Sequence, residues 1–217
     1  MNTTAAPILY ESKASPNARR VRIFLAEKDL KIPTLAVDLG AKEQFSEAYS
    51  AINPRKQVPT LVLANGASIG EVTAIWRYLE DAYPDAVPLL GTTPETKALV
   101  TMWERRAELD GFAPVMEGVR NTVEGLKGRA LSGPHAYEQI PEIAERSKLR
   151  ISNFFADFEL RLRVVPFVAG DEFSVADITT LVTIDFASGG MGVTIPEECT
   201  ALKAWYSKVS SRPASKA

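Results

Sequence analysis

Apolar and polar positions in the first 83 residues switch repeatedly between a two-residue and a 3.6-residue period. Pro7-Ile8-Leu9-Tyr10 is a short β-type run followed by a polar loop over 11–15. Pro16 stands where a helix accepts proline, at its first position, and Ser15 before it is a natural N-cap. The helix this opens runs to about residue 29. It has Val21, Phe24 and Leu25 on one side and Ile23, Ala26 and Leu30 on another, which predicts cover on two sides. Residues 34–37 read as a second strand, 42–49 as a short helix, 53–56 as a turn and 58–63 as a third strand. Asn65-Gly66 signals a hairpin into 67–69. Val72, Ile75, Trp76, Leu79 and Tyr83 then recur at helical spacing, predicting a helix over 71–83. The order βαβ then ββα predicts a mixed four-stranded sheet with helices on its faces. The crossover makes the first pair parallel, and the Asn-Gly turn makes the last pair antiparallel.

After residue 83 the pattern changes. Pro84, Pro88, Gly91 and Pro94 mark a linker over 84–93. Beyond it the periods are helical: 94–122, with Gly111 and Pro114 expected to kink it; 142–163, with Ile151, Phe154, Phe155, Phe158 and Leu162 on one stripe; 174–187; and 202–210. Only 164–168 has a brief strand character, and 125–141 is loop-rich. The chain thus reads as an α/β domain over 5–83, a linker over 84–93 and an all-α domain over 94–217.

Composition narrows the chemistry. With 217 residues, 46% apolar and 24% charged, the chain is long enough for a core without a metal or disulfide staple. Net charge is −2 and neither half has the basic excess of a nucleic-acid binder. No apolar run is long enough to span a bilayer, and Met1 to Ala6 lack the features of a secretory signal. Both point to the cytoplasm. One cysteine, Cys199, excludes an intrachain disulfide, and one histidine, His135, excludes a multi-histidine metal centre; no metal is expected. Lys13, Arg19, Arg20 and Arg22 cluster without an intervening acid, either as a solvated helix face or as a positive field beside an anionic ligand.

Few motifs are sharp on their own. Pro59 inside an apolar strand marks either an edge strand or a cis Val58–Pro59 bond beside a ligand. Ser174-Val175-Ala176-Asp177 is a capping box with Asp in the usual Glu position, a folding signal. His135, in a Gly-Pro loop, reads as an exposed bystander. Glu197 and Glu198 before Cys199 argue against a reactive thiol.

Five segments in register carry a resemblance. The stretch from Ser15-Pro16-Asn17 to Glu27-Lys28 resembles the first helix of cytosolic glutathione transferases, bacterial-type and with a serine-type active site. Asn53-Pro54-Arg55-Lys56-Gln57-Val58-Pro59-Thr60-Leu61 is similar to the family's segment around a cis proline. Ile69-Gly70-Glu71-Val72-Thr73-Ala74-Ile75 through Tyr78-Leu79 matches its Glu-Ser helix start, except that Val72 replaces serine. Phe173 to Asp177 resembles its capping box and staple, and Ala204-Trp205-Tyr206 with Arg212-Pro213 its terminal helix.

The resemblance implies a thioredoxin-like N-terminal domain (βαβαββα) that binds glutathione as co-substrate, followed by the family's all-helical domain. Ser15 matches the catalytic serine or cysteine position, Asn17 is a second donor to the sulfur, and Tyr10 is the rival of tyrosine-type classes. Val58, before cis-Pro59, would pair its backbone with the cysteinyl unit. Glu71 would receive the γ-glutamyl ammonium, with the backbone of Val72 serving the adjacent carboxylate. Gln57 would hold the glycyl carboxylate, helped by Lys42, Gln44 and Lys56. Met102, Trp103, Arg106 and Met116 are available to an acceptor pocket. The implied activity is attack of an activated glutathione thiol on a small electrophile. Glutathione-dependent disulfide or peroxide reduction, or a non-catalytic glutathione-binding relative, are the alternatives. The absence of any C-x-x-C argues against a glutaredoxin-type mechanism. A homodimer is implied as well, supported by apolar residues near the linker such as Trp76, Leu99 and Trp103.

Overall fold

A computed structural model describes residues 6–217; the first five residues, on which part of the reading against a signal segment rests, lie outside the described residues. Two compact units divide the chain: residues up to Val87 with Ser132–His135 and Ala217, and Pro88–Leu131 with Ala136–Lys216.

In the first unit the order is β1 (Ile8–Glu11), α1 (Pro16–Glu27), β2 (Thr34–Ala36), α2 (Glu47–Ile52), β3 (Thr60–Val62), β4 (Ser68–Ile69) and α3 (Val72–Ala82). The sheet runs β2-β1-β3-β4, with β1 parallel to β2 and antiparallel to β3, and β3 antiparallel to β4. This is the mixed sheet that the alternating pattern predicts. The hairpin closes through Gly66 at φ +84°, which an L side chain rarely adopts, and Ala67 N donates to Asn65 Oδ1. The helix expected over 42–49 is split. A 3₁₀ turn, Glu43–Phe45, precedes Ser46, whose side chain caps α2.

Alternation along β1 separates two layers. Tyr10 packs with Val37, Tyr49 and Val58 on one face, so Leu9 and Glu11 point to the other. There α1 packs on α3, with Phe24 and Trp76 stacked at 6.0 Å. Lys28 at the end of α1 is buried because its ammonium donates to Glu80 Oε2 at 2.8 Å and to the Val87 carbonyl at 2.6 Å. Trp76 is fully buried in this unit. It therefore cannot contribute to a subunit contact, contrary to its use as support for a dimer.

The second unit is helical: α4 (Pro94–Arg106), α5 (Ala113–Thr122), α6 (Pro141–Leu162), α7 (Val175–Met191) and α8 (Thr200–Ser210). Between α4 and α5 the chain makes a π-helical stretch, Ala107–Phe112, instead of a proline kink, and Pro114 lies in the first turn of α5. Gly111 lies against α6, where a Cβ would meet the Phe154 ring at 2.7 Å. The strand hinted at over 164–168 reduces to a single bridge between Phe167 and Gly170. Every residue of α7 from Val175 to Ile184 is buried, and the Thr180 and Thr183 hydroxyls donate to carbonyls one turn back, at 2.8 and 2.7 Å.

The start of α7 is a capping box, as its sequence predicts. Asp177 is fully buried and accepts four hydrogen bonds. Val168 N and Trp205 Nε1 each donate to Oδ1 at 2.9 Å, and Ser174 N and Oγ to Oδ2 at 3.0 and 3.2 Å. Burial raises its carboxyl from 3.8 to about 6 despite these bonds.

Candidate active site

The loop from β1 delivers Ser15 to the start of α1. Ser15 has extended backbone angles, and its Oγ accepts from Ala18 N at 3.2 Å, as an N-cap does. It is 7% exposed. Pro16 occupies the first turn, where its missing N–H leaves no broken bond. No acid lies in this turn, so the positive end of a 12-residue helix is not offset locally.

The basic cluster of the sequence is dispersed by folding. Arg22 pairs with Glu11, Nη1 to Oε2 at 2.5 Å, and its guanidinium also reaches the Ser12 and Lys13 carbonyls at 3.4 and 3.5 Å. Arg20 is buried and donates through Nη2 to Asn17 Oδ1 at 2.5 Å. Lys13 is exposed. Neither of the readings offered for the cluster describes it, since Arg20 meets Asn17 and Arg22 meets Glu11.

A second group of residues surrounds the Val58–Pro59 bond, which is cis. Three donors converge on the Gln57 carbonyl: Tyr49 Oη at 2.6 Å, Asn53 Nδ2 at 3.0 Å and Thr60 Oγ1 at 3.2 Å. Asn53 Nδ2 also donates to Thr60 Oγ1 at 2.8 Å, while Asn53 Oδ1 accepts from Arg55 N at 2.9 Å. Asn53 lies against Gly70, just before Glu71, so this network ties the turn to the start of α3. Val58 lies outside the ladder, which begins at Thr60↔Tyr10. Its own N–H and C=O make no backbone hydrogen bond among the described residues. They form a donor and an acceptor at the edge of the turn, suited to an extended ligand.

Glu71 is the N-cap residue of α3. It is exposed, and its side chain makes no capping bond. Val72 is 6% exposed and joins Ile75 and Trp76 in the core, so its side chain is a packing group. Gln57 Nε2 donates to Ser132 Oγ at 2.7 Å. Ser132 escaped sequence reasoning, and no local signal marks it. Gln44 is buried, and its Oε1 has no partner among the described residues. Lys56 lies over the Phe45 ring at 5.7 Å. Tyr10 faces the apolar cluster and meets Tyr49 edge-on at 6.2 Å.

Two family models match this chain. "Glutathione S-transferase, N-terminal domain" covers residues 9–88 and "Glutathione S-transferase, C-terminal domain" covers 134–217. A curated relative, glutathione S-transferase 2 of Saccharomyces cerevisiae, is 36% identical over 96% of this chain and 88% of its own length. The chain belongs to the glutathione S-transferase family. Solved structures agree with that placement. The crystal structure of Gtt2 from S. cerevisiae superposes with a TM-score of 0.86 at 35% identity, covering 96% of this chain and 98% of that one. A glutathione S-transferase domain-containing protein of Marinobacter aquaeolei gives 0.87 at 30% identity, covering 95% and 98%. The protein is a glutathione transferase, an enzyme that joins glutathione to electrophiles.

The other candidates of this glutathione transferase have surroundings of their own. Trp103 lies between Arg106 and Arg161, whose guanidinium carbons are 4.8 and 4.4 Å from its ring centroid. Met102 is exposed and Met116 half-buried. Cys199 is buried, and burial pushes its thiol up, with Glu159 and Glu198 adding to the shift. The direction matches the sequence reading, although Glu159 comes from α6 and burial leads. His135 is exposed.

Proposed function

We propose that this glutathione transferase activates its co-substrate through Ser15 and Asn17 at the start of α1, while Gln57, Val58, Pro59, Glu71 and Val72 hold the tripeptide. The supporting observation is the state of Ser15. Its oxygen accepts from Ala18 N, which uses a lone pair and leaves the hydroxyl hydrogen for a sulfur anion. A free glutathione thiol has a pKa of about 8.5 or somewhat above, so little of it is thiolate at neutral pH. A hydroxyl donor, an amide donor and the positive end of α1 act together to favour the anion.

The open Val58 N–H and C=O would pair with the cysteinyl backbone. Glu71 would take the γ-glutamyl ammonium, and the first N–H groups of α3, Val72 among them, the adjacent carboxylate. Gln57 would serve the glycyl carboxylate through a second amide hydrogen, one being engaged by Ser132. The acceptor is a small electrophile attacked by the thiolate. No metal takes part in this scheme, and the enzyme works in the cytoplasm as a homodimer. Light scattering at micromolar concentration checks the dimer, and a mass of one chain removes it.

Titration of the thiolate absorbance in the glutathione complex tests the catalytic reading. Ser15→Ala raises the bound thiol's pKa by roughly one to two units and slows conjugation about 10- to 100-fold. If Ser15→Ala leaves the thiolate untouched while Asn17→Ala or Tyr10→Phe shifts it, Ser15 is a helix cap only.

A further inference from the structure

Arg20 carries a permanent charge yet is only 2% exposed. Burying a cation is costly unless it is paired or hydrogen-bonded, and two of the groups that meet this one lie at the start of α1 and in α3. Its guanidinium lies 5.7 Å from the centre of the fully buried Trp76 ring. From there Nη2 donates to Asn17 Oδ1 at 2.5 Å, one helical turn back on α1.

The chemistry of this contact fixes which end of the Asn17 amide faces the guanidinium. A guanidinium has donors only, so the Asn17 atom it meets must be the oxygen. The Asn17 NH2 group is therefore turned away from Arg20. A cation on the amide oxygen also draws electron density from the nitrogen, which makes its N–H groups better donors. Asn17 is half-buried in the first turn of α1, beside the N-cap Ser15.

We infer that Arg20 is a positioning residue, a buried cation that commits the Asn17 amide to act as a hydrogen-bond donor to the bound glutathione sulfur. This rests on the reading that Asn17 contacts the sulfur. Arg20 is not a catalytic residue in this scheme; its route to the sulfur runs through Asn17. Trp76 holds the guanidinium plane, which a lysine ammonium would not reproduce.

A double-mutant cycle tests it, read as thiolate absorbance of the glutathione complex at one near-neutral pH and as conjugation of a chlorodinitrobenzene probe. Asn17→Ala and Arg20→Met each lower the thiolate signal and slow turnover at saturating glutathione by about 10-fold. The KM for glutathione moves less than about 3-fold in both, because the rest of the tripeptide is held elsewhere. Arg20→Met/Asn17→Ala loses no more than Asn17→Ala alone. A double variant that loses the product of the single factors overturns the inference, since Arg20 then acts independently.

If Asn17→Ala keeps the wild-type signal, the reading of Asn17 itself fails and takes this inference with it. If Asn17→Ala loses the signal while Arg20→Met keeps it, only the role of Arg20 falls. Should Arg20→Met not fold, Arg20→Lys replaces it in the cycle: a loss of thiolate signal that adds nothing to that of Asn17→Ala supports the inference, and a wild-type signal or a multiplicative loss overturns it.

Discussion

Arg22 Nη1 meets Glu11 Oε2 at 2.5 Å, joining the end of β1 to α1 across the loop that carries Ser15. Glu11 is 5% exposed, so removing its partner leaves a buried carboxylate without its counter-ion. Arg22→Ala is expected to cost about 2 kcal/mol in urea unfolding and to loosen the 12–15 loop, lowering glutathione affinity as well. Glu11→Gln in the Arg22→Ala background restores part of the stability, because the orphaned charge is gone. Equal stability of Arg22→Ala and wild type would place this pair among ion pairs that contribute nothing measurable.

Asp177 sets a pH dependence in the direction opposite to that of a salt-bridged carboxylate. Its native pKa is raised, from 3.8 to about 6, so the folded protein holds this proton more tightly than the unfolded chain does. Its contribution to stability therefore falls as pH rises from about 4 to about 6, and is flat above and below that window. Asp177→Asn removes this slope. It also sets an NH2 group against the Ser174 N–H and is expected to cost about 3 kcal/mol. Denaturant midpoints of both proteins across that pH range give the comparison. A wild-type stability that rises through the window relative to the variant contradicts the expectation.

Gly111 tests the packing of the π-helical stretch. An added methyl group meets the Phe154 ring at 2.7 Å, and that ring is held by Phe158 with centroids 4.2 Å apart. Alanine in a helix gains about 1 kcal/mol over glycine, while overpacking costs about 1–3 kcal/mol. Gly111→Ala is thus expected to be net destabilising by about 1 kcal/mol, measured by thermal unfolding. A stabilised variant would show that α6 moves aside freely.

Ser132 and Gln57 make a separable pair. Ser132→Ala removes the acceptor that holds Gln57 Nε2. Glutathione affinity is expected to drop about 2- to 5-fold by calorimetry, as one neutral hydrogen bond suggests. Gln57→Ala is expected to drop it at least as far, because its bond to a carboxylate is lost as well. An unchanged affinity in Gln57→Ala removes Gln57 from the glycyl subsite.

Several features of the fold could be read without the structure because their causes lie within four residues of each other. Ser15-Pro16 starts α1, Asn65-Gly66 closes the hairpin, and Ser174 with Asp177 caps α7. The stripe of Val72, Ile75, Trp76 and Leu79 packs one face of α3. Val72 could be seen to lack the hydroxyl of the family pattern, and its burial follows from the same stripe.

Other assignments needed residues far apart to meet. Tyr10 could point to either face of the sheet until Tyr49 and Val58 closed around it. Ser132 reaches Gln57 from 75 positions away, and Asp177 gathers Val168 and Trp205 from neighbouring segments. Gly111 and Pro114 predict a kink in one helix over 94–122, whereas the chain makes a π-helical stretch packed against Phe154. Lys13, Arg19, Arg20 and Arg22 cluster in the sequence without an intervening acid, either as a solvated helix face or as a positive field, yet Arg20 meets Trp76 and Asn17, and Glu11 takes Arg22. Backbone capping and turn geometry are local energies, so the sequence by itself determined where elements begin and which faces are apolar. The partner of a side chain depends on which distant surface packs on it, and for Arg20, Tyr10, Gln57 and Asp177 only the tertiary structure decided that.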